Sequence, residues 1–266
     1  MPSQHIVQRL TNYLWLANSR VSDDAHVISV ARTLYALRCS LDSLDEFYRA
    51  LKVHDVPEDM SHPRFLPSIT SYPLNNNPVM ITYVKPLETD SACMTFLATL
   101  GPEKQKVAVK FVQRYGEAVH KHMVEMGMAP ELLYYGPIVM NGHSYGELKM
   151  VVMEFIEGKT LTGLFGTETL PQEVWKAIRD GMTALHNAGY VYGDLRRPNV
   201  MIVDAVDGNG DANMGKRVRF IDFDWAGRAG LVKYPLHLSK FICKTAKVSD
   251  YELIKKEDDV KMLNAL

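Results

Sequence analysis

The sequence contains no run of about 18 uncharged apolar residues, the length a helix needs to cross a bilayer, so no membrane span is expected. It has no excess of charge of either sign, since 30 basic residues stand against 31 acidic ones. That balance gives no electrostatic case for nucleic acid or a membrane surface as a partner. Cysteine is scarce: Cys39, Cys93 and Cys243 are odd in number, far apart and without a CxxC pair. They read as reduced packing thiols, which argues against a zinc or redox role. Gln4, His5 and Gln8 interrupt the start, so the charged-then-apolar layout of a signal peptide is missing. Leu263–Leu266 carries no prenylation cysteine. Cytoplasm or nucleus is the expected compartment. The 266 residues suffice for one two-lobed domain with an extension.

What is present concentrates in residues 190–199, Tyr-Val-Tyr-Gly-Asp-Leu-Arg-Arg-Pro-Asn, followed by the apolar strand Val200–Val203 and a second strand ending in Asp222-Phe223-Asp224. An Asp and an Asn five residues apart on a loop, then a hairpin ending in Asp, resemble the phosphoryl-transfer site of protein-kinase-like enzymes. In that reading Asp194 holds the acceptor hydroxyl, and Asn199 and Asp222 hold Mg²⁺ on the phosphates of ATP, since hard oxygens suit that ion. Arg196 neutralises charge on the transferred group. Asp224 is either a second metal contact or a cap on the turn.

Other parts follow in the same order. Lys106–Phe111 is an apolar strand whose Lys110 is placed to touch the α- and β-phosphates. Glu117 opens a helical pattern reaching about Gly127, and its carboxylate is expected to pair with Lys110. Val151–Gly158 reads as a buried strand running into a hinge, where Met153, Glu154 and Ile156 would border the adenine.

These segments, with Tyr115–His120, Ala129-Pro130, Leu185-His186, Gly193–Arg196, Pro198-Asn199, Ile221–Gly227, Tyr234-Pro235 and Asp258-Asp259, resemble a small divergent protein-kinase-like family common in mushroom-forming fungi. Similarity to the atypical kinases of tRNA-modification complexes and to lipopolysaccharide sugar kinases is looser. The resemblance spans about residues 65–266 and is specific over the catalytic loop and the Asp-Phe-Asp stretch. It implies an α+β, bilobal protein-kinase-like fold, with ATP and Mg²⁺ as cofactors. The acceptor is a Ser/Thr hydroxyl in the leading reading, a sugar or other small molecule in the second. In a third the chain is a nucleotide-binding pseudokinase serving as a scaffold.

Three departures bear on those alternatives. Lys85–Ala92, between the first two strands, contains no glycine, so backbone N–H groups cannot approach phosphates closely there, and Thr89 and Ser91 are the available substitutes. Gly193 stands where an arginine usually precedes the catalytic Asp, and Tyr192 replaces the usual histidine. After Asp224 no Ala-Pro-Glu segment follows, which puts a docked protein substrate in doubt.

The expected organisation is a helical extension over 1–63, a linker over 64–78, a β-rich N-lobe over 79–154 and a shortened helical C-lobe over 155–266. In the extension, Val27, Val30, Leu34, Leu37, Leu41, Leu44, Tyr48 and Leu51 form a seven-residue repeat. The repeat would suit a dimeric coiled coil. Ser40–Ser43 is a poor helix interior, however, and Ser43 with Glu46 resembles a capping box. Two helices packed on the lobes are therefore expected, and these helices are where a partner or dimer contact would form. Asp204–Arg217 reads as a long hairpin tip, since it lacks the glycine and glutamate of a calcium loop.

Overall fold

The computed structural model describes residues 24–50, 66–75, 77–87, 94–140, 143–205 and 213–266. It divides into two units, one of residues 1–65 with 90–92 and one of residues 66–89 with 93–266. In the first, helix α1 runs unbroken over Asp24–Ala50. The expected break at Ser40–Ser43 is absent, for a local reason. The Ser40 hydroxyl donates to the Ala36 carbonyl at 2.8 Å, and Thr33 donates to Ser29 at 3.0 Å. These hydroxyls are satisfied inside the helix and do not compete with it. Val27, Leu34, Leu41 and Tyr48 of the repeat are 56–64% exposed. The rest of the expected extension, residues 1–23 and 51–63, lies outside the described residues.

The second unit is α+β. Strands β1 (Ser71–Leu74), β2 (Asn77–Pro86), β3 (Thr95–Leu100), β4 (Gln105–Val112), β5 (Leu132–Met140) and β6 (His143–Glu154) form one antiparallel sheet in the order β1-β2-β3-β4-β6-β5. The sheet therefore begins inside the stretch expected as a linker. Tyr72, buried in β1, stacks on Tyr134 at 4.8 Å, which gives that short edge strand its anchor.

Strand alternation decides what β4 offers each side. Val107, Val109 and Phe111 enter a cluster with Ile69, Phe96 and Ile138, whereas Ala108 and Val112 enter a second cluster with helix α2 (Glu117–Glu125) and the helical part. Lys110 shares the parity of Ala108 and Val112, and so lies on the face toward the second cluster. Met150 and Val152 of β6 belong to the first cluster, Val151 and Met153 to the second.

Past the hinge come β7 (Gly158–Thr160), α3 (Leu161–Phe165) and α4 (Gln172–Asn187). Pro171 caps α4, which buries Val174, Ile178, Met182 and Leu185 on one face, and Gly189 follows its end at φ +82°. The 190–199 stretch then passes through β8 (Tyr190–Val191) and a 3₁₀ turn (Arg197–Asn199) into β9 (Val200–Val203). Strand β9 pairs antiparallel with β10 (Val218–Phe220), so the hairpin is present, although 206–212 lie outside the described residues. β11 (Gly227–Arg228), α5 (Lys240–Ala246) and α6 (Lys256–Leu263) complete the chain.

Candidate active site

The Asp-Phe-Asp turn is reached directly from β10. Asp222 sits at φ +65°, a left-handed conformation that few side chains other than Asn and Asp tolerate. Phe223 is fully buried against Tyr115, His120 and Tyr192, and holds the turn from beneath. On the other side, Lys110 Nζ lies 2.7 Å from Asp222 Oδ1 and 2.8 Å from Asp224 Oδ2. Burial works against the ammonium, but the two carboxylates outweigh it and push the Lys110 pKa up. Burial would also raise Asp222, yet the Lys110 charge beside it holds it below the ordinary range. Asp224 takes the opposite share: burial and the neighbouring Asp222 charge push it up to about 7. Its Oδ1 is buried with no hydrogen-bond partner.

Asp194 is 4% exposed. Arg196 grips it with two bonds, Nε to Oδ1 at 2.5 Å and a terminal nitrogen to Oδ2 at 2.6 Å. The Asn199 amide nitrogen donates at 2.9 Å to Asp194 Oδ2 and to its backbone carbonyl. That commitment leaves the amide oxygen of Asn199 as its remaining acceptor. Burial raises the Asp194 pKa against the pull of Arg196. The result is an oriented carboxylate that is a stronger base than a solvated one.

A cavity of about 610 Å³, within the usual range for a small-ligand site, lies beside these groups, with Asp194 and Asp224 outside its lining. Lys110, Met153, Glu154, Ile156, Arg196, Asn199 and Asp222 all line it. Phe155 N–H donates to the Lys106 carbonyl at 3.3 Å, and Ile156 follows along the cavity wall. The donors fit Mg²⁺, because Asp222 and Asn199 are both oxygen-bearing residues lining this cavity. Among the described residues, no cluster of three or more His, Cys, Asp or Glu side chains is placed to hold a metal. Thr89 and Ser91 lie outside the described residues.

Glu117 is the correction. It is the first residue of α2, its side chain is 41% exposed, and it pairs with Lys121 at 2.7 Å, not with Lys110. The residues α2 buries are Val119, His120 and Met123. Their mean direction is roughly 110° around the helix from Glu117 at 3.6 residues per turn.

Sequence reasoning passed over Asp259 as a functional residue. It is 1% exposed and accepts the backbone N–H of Tyr192 at 2.9 Å and of Gly193 at 2.8 Å, with His186 Nε2 at 3.0 Å. A carboxylate from α6 thus holds the loop just before Asp194. Its signal was the pair Asp258 and Asp259 placed three to four residues before Met262 and Leu263, which puts the two carboxylates on the buried face of α6. Tyr192, noted only as a replacement, reaches the carbonyl of Ile221 with its hydroxyl and so ties the catalytic loop to the residue before Asp222.

No family model matches the chain. One curated relative, the serine/threonine-protein kinase ArnS of Sulfolobus acidocaldarius, is 28% identical over 115 residues, 40% of this chain. The match spans only 17% of that relative's length. Among solved structures, the Cydia pomonella granulovirus kinase PK-1 shares a TM-score of 0.48 at 15% identity, covering 69% of this chain and 65% of the other. The BubR1 kinase domain gives 0.49 at 14% identity, over 87% and 72% of the two chains. Vaccinia related kinase 3 also gives 0.49 at 14%, over 78% and 68%. With TM-scores below 0.5, the functional reading rests on the site itself.

Proposed function

We propose that the chain is an ATP- and Mg²⁺-dependent phosphotransferase of protein-kinase-like type, acting on a Ser/Thr hydroxyl. One observation carries the reading: Lys110, Arg196, Asn199 and Asp222 line one cavity, with Asp194 gripped by Arg196. Met153, Glu154 and Ile156 would border the adenine, and Lys110 would leave its carboxylates in part to meet the phosphates. Asn199 and Asp222 would hold Mg²⁺, which when bound neutralises phosphate charge. Asp194 takes the proton of the acceptor hydroxyl as that oxygen bonds to the terminal phosphorus, the bond from that phosphorus to the β-phosphate oxygen breaks and ADP leaves, and Arg196 faces the charge of the transferred group. The direct test supplies labelled ATP and Mg²⁺ with a protein mixture and, separately, with a metabolite mixture. Label is expected on Ser or Thr of a protein acceptor. Label only on a small metabolite would replace the acceptor class, and label on nothing would favour a nucleotide-binding scaffold.

A further inference from the structure

The lysine of such a site needs a carboxylate to aim it, and the expected donor, Glu117, is turned outward onto Lys121. We propose that Asp224 is the positioning residue that anchors Lys110 toward the nucleotide. The inference rests on the phosphotransferase reading above.

Three observations support it. Asp224 Oδ2 lies 2.8 Å from Lys110 Nζ, with the lysine side chain 14% and the aspartate side chain 29% exposed, so the pair is partly shielded from competing water. The Asp224 backbone is fixed from the segment that carries the lysine: Arg114 Nε donates to the Asp224 carbonyl at 3.0 Å and a terminal nitrogen to the Lys233 carbonyl. Residues 110 and 114 therefore hold the side chain and the carbonyl of one aspartate. Third, α2 is docked on the turn through Gly116 and His120 while Glu117 pairs with Lys121. Gly116 N–H donates to Phe223 carbonyl at 2.9 Å, and His120 stacks on the Phe223 ring at 4.5 Å and 11°. A Cβ at Gly116 would come within 2.5 Å of the Ala226 carbonyl oxygen, so the close approach requires glycine.

Asp222 alone does not suffice as the anchor. Its carboxylate is the proposed metal ligand, and oxygens shared with a divalent cation attract an ammonium less strongly. Asp224 is the neighbour left to hold Lys110 once metal is bound. The lysine on β4 and its anchor on the Asp-Phe-Asp turn are then already joined, with no swing of α2 needed.

The test is a double-mutant cycle on Mg²⁺·ATP affinity by isothermal titration of the full chain. The variants are Lys110→Ala, Asp224→Asn, the pair together, and Glu117→Gln, each with its melting temperature recorded. Asp224→Asn is expected to weaken binding about tenfold in the wild-type background and by less than about twofold in the Lys110→Ala background. Glu117→Gln is expected to change little, and Asp224→Glu to restore part of the affinity. A purely structural or metal-ligand role would instead keep the Asp224→Asn effect when Lys110 is gone. Additive effects, a silent Asp224→Asn, or a Glu117→Gln loss coupled to Lys110 would each overturn the assignment while leaving the phosphotransferase reading standing. Wild type that binds no ATP, or a Lys110→Ala variant that binds as wild type does, would overturn both. Should Asp224→Asn not fold, Asp224→Ser completes the same cycle.

Discussion

Asp222 occupies a backbone conformation that Asn also tolerates, so Asp222→Asn removes the charge without adding strain. If its carboxylate holds Mg²⁺, thermal stabilisation by ATP grows when Mg²⁺ is added, and the variant loses that increment. A tenfold affinity gain is about 1.4 kcal/mol of added stability, which shifts melting by about 2–4 °C. Equal stabilisation with excess chelator would show that the metal site is misassigned. At this scale much was legible. That Lys110, Arg196, Asn199 and Asp222 would come together at one cavity was readable from their spacing on a strand, a loop and a hairpin. The partners were not. Lys110 sits on Asp222 and Asp224, and Arg196 on Asp194, in pairings set by three-dimensional approach.

The elements around the site set which way those side chains point. Helix α2 buries His120, whose Nε2 meets the Pro130 carbonyl at 2.7 Å and whose Nδ1 meets the Tyr115 hydroxyl at 2.7 Å. A carbonyl only accepts, so Nε2 carries the proton and Nδ1 accepts from the tyrosine. Burial pushes the imidazole down to about 4 against the small upward pull of Pro130. Its unfolded value is near 6.5, so the unfolded chain binds the extra proton first. The share of stability that His120 supplies is complete above about pH 6.5 and is lost as pH falls toward about 4. Asp224, raised to about 7, works the other way over much of that window, so a bulk acid titration mixes the two. An imidazole NMR titration separates them: His120 is expected to stay neutral down to pH 5, and a midpoint near 6.5 would contradict its burial.

Helix α6 supplies the second support. Asp259→Asn keeps one acceptor but loses the charge that serves two backbone N–H groups and His186, each such bond being worth roughly 1.5–3 kcal/mol. A loss of about 3 kcal/mol in denaturant unfolding, with turnover reduced, is expected. Unchanged unfolding would mean that water serves those N–H groups as well. The phase of α4 was readable from its apolar spacing. The phase of α2 was also present in Val119 and Met123, but the Lys–Glu expectation overrode it, and Glu117 was assigned inward.

At the scale of the whole molecule, β4 and β6 feed two hydrophobic clusters by strict alternation, and the cavity wall is built where they meet the turn and the catalytic loop. That alternation was readable as strands but not as a division of cores, since sequence periodicity does not say which face meets which cluster. The edge strand β1 was hidden by Pro73 and the asparagine run beside it, which read as a linker. In α1 the hydroxyls that suggested a break bond back into the helix, a choice that local sequence leaves open.

The phosphotransfer rate of Asp194→Asn, measured beside its ATP affinity, tests the central claim most directly. In the proposed mechanism Asp194 serves the acceptor hydroxyl and not the nucleotide, and a positioned general base contributes at least about 10² to the rate. Wild type is expected to transfer phosphate to an acceptor, and the variant to do so about 10²-fold more slowly or worse, while ATP affinity stays within about twofold. Equal rates in the two proteins, or no transfer by wild type to any acceptor although ATP binds, would contradict it.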